Sequence, residues 1–122
     1  MLQRLIIRDF VIVDQLELEF AQGFGALTGE TGAGKSILID AFSLALGERA
    51  DVAVVRAGAE RAEVAAEFTV DAGSGLAAWL QANDYADDTC ILRRIVDNNG
   101  RSRAYINGAV ATLGQLREAA DS

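Results

Sequence analysis

The sequence has no histidine and no proline, one cysteine (Cys90), and one lysine (Lys35) beside ten arginines. Each shortage closes off a chemistry. Without histidine, and with a lone thiol, the chain cannot assemble a Cys/His zinc site, a Ser-His-Asp triad or a Cys-His pair. A single cysteine makes no internal disulfide, so Cys90 is expected as a buried apolar thiol in a reducing compartment, not as part of a stapled secreted scaffold. No window approaches the roughly 18 uninterrupted apolar residues of a membrane helix. The N-terminal MLQRLIIRDF also lacks the small-residue cleavage site of a signal peptide. The expectation is a cytoplasmic protein that makes no membrane contact. With proline absent nothing resembles a Pro-rich linker, and no repeat or low-complexity stretch interrupts the chain.

What is present suits one folded domain: 122 residues, 51% hydrophobic and 24% charged, enough for a single core and too few for two. Eighteen acidic against eleven basic side chains leave a net charge of -7. That balance argues against a surface that grips nucleic acid everywhere, so any DNA contact must be local.

Residues 2–8 form a β-branched run and 16–20 (LELEF) alternate with period two, which predicts two strands joined through Asp14 and Gln15 as an antiparallel pair. A third short strand is predicted at 24–28 after a turn at Gln22 and Gly23. Residues 36–46 are apolar nearly all round, the pattern of a helix buried on several sides, and Gly47 stops it. The stretch 48–60 is expected to be loop, and 62–70 a further strand. Leu76, Trp79 and Leu80 mark one helix face, with Trp79 in the core. Strands at 90–97 and 101–106 flank Asn98-Asn99-Gly100 as a hairpin, and Asn107-Gly108 offers a second tight turn. Thr112 and Gln115 have the spacing of a capping box that opens a last helix. That helix meets no stop signal before Ser122, as expected of a fragment or of one lobe of a larger domain.

One motif carries chemistry. Gly29-Glu30-Thr31-Gly32-Ala33-Gly34-Lys35-Ser36 satisfies G-x-x-x-x-G-K-[ST] at every fixed position. A chance match is expected at about 4 in 100,000 per window. The glycines let backbone N–H groups turn inward as a nest for the β-phosphate, and the following helix adds its positive end. Lys35 supplies a full charge to the β- and γ-phosphates, and the Ser36 hydroxyl is placed for Mg²⁺. Glu30 and Thr31 can contribute through backbone alone. The expected ligands are therefore a nucleotide and Mg²⁺, with Lys35 as the catalytic charge and Ser36 as the metal ligand. A guanine-specific GTPase would need an Asn/Thr-Lys-x-Asp motif, and with no second lysine in these residues its base reader would have to lie beyond Ser122. A small-molecule kinase normally has its P-loop after the first strand, whereas two antiparallel strands come first here, an arrangement typical of ABC-type ATPase heads.

The segments LIIRDFVIVDQLELEF, LTGETGAGKSILIDAFSLALGERA, VVRAG and LRRIVDNNGRSRAYINGAVATLGQLRE together resemble the N-terminal head segment of the RecN family of bacterial DNA repair proteins, SMC-like relatives of the ABC ATPases. The resemblance covers nearly the whole chain. It implies an α/β fold, a P-loop NTPase of the ABC/SMC head type, in which residues 1–122 form the N-terminal lobe: an antiparallel β subdomain, then a P-loop followed by a buried helix. It also implies ATP as the nucleotide and an ATPase in recombinational repair of DNA double-strand breaks, completed by the C-terminal lobe of the same head and by a second head in a homodimer, at the nucleoid. The Q-loop, signature, Walker B and catalytic glutamate residues have no counterpart here. Asp40 and Asp97 are expected to be structural. A nucleotide-gated DNA-binding module with little hydrolysis, and a P-loop kinase, remain as alternatives.

Arg93, Arg94, Arg101 and Arg103 cluster on the expected hairpin. Strand alternation sends Arg93 and Arg94 to opposite faces and lets Arg101 and Arg103 share one. Solvated side chains paired with Asp97 or Glu63 are the plainer expectation, and a contact of Arg101 and Arg103 with DNA or the opposing lobe the sharper one. Arg56, in VVRAG, resembles an arginine near the ATP pocket of SMC-type heads.

Overall fold

The computed structural model describes residues 2–11, 13–19, 32–49, 54–85 and 87–121, with residues 2 and 32–36 described through their backbone. In chain order they form β1 (Leu2–Phe10), β2 (Val13–Glu19), α1 (Gly32–Ala45), β3 (Arg61–Thr69), α2 (Gly75–Ala82), β4 (Thr89–Asp97), β5 (Ser102–Ile106), β6 (Ala109–Ala111) and α3 (Leu113–Asp121). The strands make one sheet in the order β2-β1-β3-β4-β5-β6, with every neighbouring pair antiparallel.

Register explains which face is buried. Leu16, Ile7, Val64, Arg94 and Ala104 lie side by side across five strands, and Leu18, Leu5, Ala66, Leu92 and Ile106 form the next row on the same face. Period-two alternation makes that face apolar apart from Arg94 and its neighbour Ser102, and the helices pack on it. Two clusters result. In one, Ala41, Leu44 and Ala45 of α1 meet Leu5, Ile7, Ala62, Val64 and Ala66, and the alanines on both sides let the helix lie close over the centre of the sheet. In the other, Leu80 of α2 and Leu116 and Ala119 of α3 cover Cys90, Leu92, Ala104 and Ile106. Phe68 packs against both clusters.

Local signals account for the connections. Asn107 and Gly108 both take positive φ (51° and 84°), as a two-residue hairpin of the mirror-image type requires. The Asn107 amide also binds the Ile91 N–H (2.8 Å) and the Tyr85 carbonyl (2.8 Å), tying the turn to the start of β4. The capping box at α3 is reciprocal: the Gln115 N–H donates to the Thr112 hydroxyl (3.0 Å) and the Thr112 N–H to the Gln115 side chain (2.9 Å). Asp97 accepts the N–H groups of Asn99 and Arg101, a turn-holding role. Asp40 is exposed on α1.

Two expectations change, and a third lies outside the described residues. The β1–β2 turn lies upstream, with Val11 in it, and Asp14 and Gln15 belong to β2, because Arg8 pairs with Gln15. The helix is buried along one face instead of on several sides, with Ile39 63% exposed. The strand at 24–28 and the turn before it lie outside the described residues, and the strands within them form an entirely antiparallel sheet.

Gly47 ends α1 through a Schellman motif: the Glu48 N–H returns to Ser43 O (3.2 Å) and the Gly47 N–H to Leu44 O (3.2 Å), with Gly47 at φ 103°. A Cβ there would lie 2.7 Å from Arg117 Cγ and 2.9 Å from Leu113 O. Gly47→Ala is therefore expected to destabilise the fold by about 1–3 kcal/mol from the backbone alone, with the collision against α3 added. Thermal unfolding checks this, and an unchanged melting temperature contradicts it.

Burial pushes the Cys90 thiol up to about 11 from its ordinary 9.0. The folded state then holds a proton that the unfolded state has released, so Cys90's contribution is constant below about pH 9 and is lost as pH rises towards 11. Native Cys90 is expected to resist a thiol reagent at pH 8 and to react on unfolding, and rapid labelling of the folded chain would contradict the burial.

Candidate functional site

Gly32, Ala33, Gly34, Lys35 and Ser36 open α1, while Gly29, Glu30 and Thr31 lie outside the described residues. Helix N-termini present N–H groups with no intrahelical acceptor, and the first turn of α1 carries no acidic residue to compete for them. A phosphate group fits that end electrostatically.

The other end of α1 is held by two arginines. Arg94, 1% exposed, rises from β4 among apolar neighbours and donates from Nη1 to Leu44 O (3.0 Å) and Glu48 O (2.7 Å), and from Nε to Ser102 Oγ (2.7 Å). Arg117 of α3 donates from Nε to Gly47 O (3.0 Å). Both guanidiniums meet the carbonyl end of the helix, where the macrodipole favours a cation. Burial, and then the like charge of Arg117, lower the pKa of Arg94.

This separates the four hairpin arginines. Arg94 leaves the solvated group altogether because alternation places it on the Leu92 and Val96 face, and that alternation was the signal that could have found it. Arg93, on the other face, pairs with Glu63 (2.8 Å) and lies over the Tyr105 ring at 5.5 Å. Arg103 is exposed on β5, and Arg101 is exposed just before it. Neither forms an ion pair among the described residues.

Arg56 sits at the β1–β2 turn. Its N–H donates to Asp9 O (2.8 Å), and its guanidinium faces Asp9 (3.7 Å) and Asp14 (3.8 Å). These groups are too exposed for the pairs to add more than about 1 kcal/mol each. Asp9 and Val11 both take positive φ (48° and 56°), a strained conformation for a β-branched residue, and the Val11 N–H is anchored on Val54 O (2.7 Å). Between this turn and α1 lies a cleft of about 380 Å³ lined in part by Val11, Asp40, Ser43 and Arg49.

Residues 4–114 match the family model described as an AAA domain. The chain belongs to the AAA domain family. Among curated relatives of this AAA domain are DNA repair protein RecN of Haemophilus influenzae, 45% identical over 98% of the chain and 22% of the relative, and DNA repair protein RecN of Vibrio cholerae, 48% identical over 96% and 21%. The matches fall in the N-terminal part of those proteins. The chain thus spans about a fifth of the length of its relatives. A solved structure from work on ATP-driven dimerization and DNA-stimulated activation of SMC ATPases superposes with a TM-score of 0.76 at 25% identity, covering 98% of this chain and 77% of that one. The fold is the N-terminal lobe of a P-loop NTPase head of the SMC/ABC type.

If Arg94 is held as described, Arg94→Met is expected to destabilise the fold by about 3–5 kcal/mol, because Leu44 O, Glu48 O and Ser102 Oγ lose their shared donor at once. Denaturant unfolding checks this, and a loss under about 1 kcal/mol contradicts it.

Proposed function

We propose that this chain is the ATP-binding lobe of an SMC-like ATPase acting in recombinational repair of DNA double-strand breaks, and that residues 1–122 constitute one lobe of a larger head. The observation that carries the reading is that G-x-x-x-x-G-K-S runs into the N-terminal end of α1, a fourteen-residue helix without a first-turn carboxylate. The RecN relatives and the SMC neighbour favour an ATPase over a nucleotide-gated binder or a kinase.

In this reading Gly29, Gly32 and Gly34 leave room for phosphate against the backbone, with Glu30, Thr31 and Ala33 contributing their N–H groups. Lys35 neutralises the β- and γ-phosphates of ATP and stabilises charge on the γ-phosphate as water attacks it. The Ser36 hydroxyl would hold Mg²⁺, which would supply positive charge to neutralise the phosphates. The groups that orient water belong to the C-terminal lobe and to a second head, which closes on the nucleotide in a homodimer. Arg101 and Arg103 contact DNA in that assembly, in the cytoplasm at the nucleoid.

Lys35→Ala is expected to weaken Mg-ATP binding by about 30-fold or more while leaving stability within about 0.5 kcal/mol, since it removes a phosphate partner and no core contact. Undiminished binding by calorimetry in a folded Lys35→Ala chain rejects the site. The 122-residue chain alone is expected to show no ATP turnover above its Lys35→Ala counterpart. In a protein of RecN length, replacing Arg101 and Arg103 by Ala is expected to lower DNA affinity and flatten its salt slope by up to about two units. An unchanged slope rejects the pair as a DNA contact.

A further inference from the structure

The structure assigns Arg94 a second role, that of a positioning residue which fixes α1 along its own axis and so sets how well the far end of that helix holds phosphate. The inference rests on the reading that phosphate binds where Gly32–Ser36 open the helix. Apolar packing alone cannot fix that position. The face of α1 over the sheet is built largely from Ala41, Leu44 and Ala45 against Ala62, Val64 and Ala66, and such contacts are non-directional.

The directional contacts are at the other end. Arg94 Nη1 reaches Leu44 O at 3.0 Å and Glu48 O at 2.7 Å, while its Nε is tied to Ser102 Oγ at 2.7 Å. A slide of α1 by one residue's rise, about 1.5 Å, would stretch or compress both contacts together, and a slide directly away from the guanidinium would take them out of hydrogen-bond range. The guanidinium could not follow them into water, because Arg94 stands in the row between Val64 and Ala104 and is 1% exposed. A buried cation without acceptors is costly, so the helix has one favourable axial position. Its fourteen residues span about 20 Å as a rigid rod. A phosphate held by first-turn N–H groups tolerates only about 0.5 Å of misplacement, so the clamp at one end governs affinity at the other.

The experiment uses this chain with Arg94→Lys, Ser102→Ala, Lys35→Ala and, as a control for stability alone, Leu80→Ala in the second core cluster. Mg-ATP affinity is measured by calorimetry per folded molecule, and amide hydrogen exchange is followed at residues 32–36 and 46–48. Arg94→Lys keeps the charge but loses the planar fork, and is expected to weaken Mg-ATP by about tenfold. Ser102→Ala, which frees one side of that fork, is expected to weaken it about threefold. Leu80→Ala is expected to lower the melting temperature with affinity unchanged. Without nucleotide, exchange in Arg94→Lys is expected to rise at both ends of α1. If the unaltered chain binds Mg-ATP and both Arg94→Lys and Ser102→Ala bind equally well, the proposal falls and the nucleotide reading stands. Faster exchange confined to 46–48 also overturns the coupling. If Arg94→Lys does not fold, the affinity of Ser102→Ala decides. If the unaltered chain shows no binding that Lys35→Ala abolishes, the nucleotide reading fails and the proposal with it.

Discussion

The structure depends on a guanidinium that has been taken out of water and given the carbonyl end of a helix. Arg94 is the one buried charged residue among those described, and its acceptors are two backbone carbonyls and a hydroxyl. Burying a cation is favourable only where directed hydrogen bonds replace its hydration. The last turn of α1 and the turn that follows it provide them, because carbonyls at a helix C-terminus lack an i+4 N–H donor and carry the negative end of the dipole, and Leu44 O accepts from Arg94 as well as from the Gly47 N–H. The Schellman turn at Gly47 completes the arrangement by bending Glu48 O towards Arg94 and Gly47 O towards Arg117. Each element therefore satisfies a need of the other.

The same contacts join two apolar clusters that would otherwise be linked mainly through Phe68. On β4, Leu92 belongs to the cluster under α2 and α3 and Val96 to the cluster under α1, with Arg94 between them. Arg117, projecting from α3, crosses the same boundary to reach Gly47. A polar seam of this kind specifies geometry in a way an apolar one does not, since hydrogen bonds fail over a few tenths of an ångström while dispersion contacts merely soften. The absence of a Cβ at Gly47 is part of the same fit, because α3 passes where that atom would be.

Much of this was legible in the sequence where a local rule decides the outcome. Asn107-Gly108 takes the φ values that its turn type demands, Thr112 and Gln115 cap each other as their spacing indicates, and the period of LRRIV sends Arg93 and Arg94 to opposite faces. The missed features are tertiary. Alternation put Arg94 on the same face as Leu92 and Val96, but its acceptors lie on α1, some fifty residues away in sequence. Ser102 has the look of an ordinary strand-edge polar residue until its partner is known. Asp14 and Gln15 are turn residues by type, yet the strained conformations of Asp9 and Val11 move the bend upstream, where it docks on Val54 and Arg56. Of the motif itself, Gly32–Ser36 open α1, and Gly29–Thr31 lie outside the described residues.

The use of ten arginines and one lysine follows from what each cation has to reach. Arg94 serves three acceptors, Arg93 combines a carboxylate with an aromatic face, and Arg117 reaches a single carbonyl while its stem packs beside Gly47. A planar fork with several donors in fixed directions can make such contacts, and its weaker hydration lowers the cost of burial. Lysine offers a compact, mobile point charge, which suits a phosphate cluster whose charge is spread over many oxygens. An acidic chain that commits several of its arginines to internal contacts keeps few cations for partners. Arg101 and Arg103 are exposed and form no ion pair among the described residues, so their charge is available for an anionic partner, whereas that of Arg94 is not.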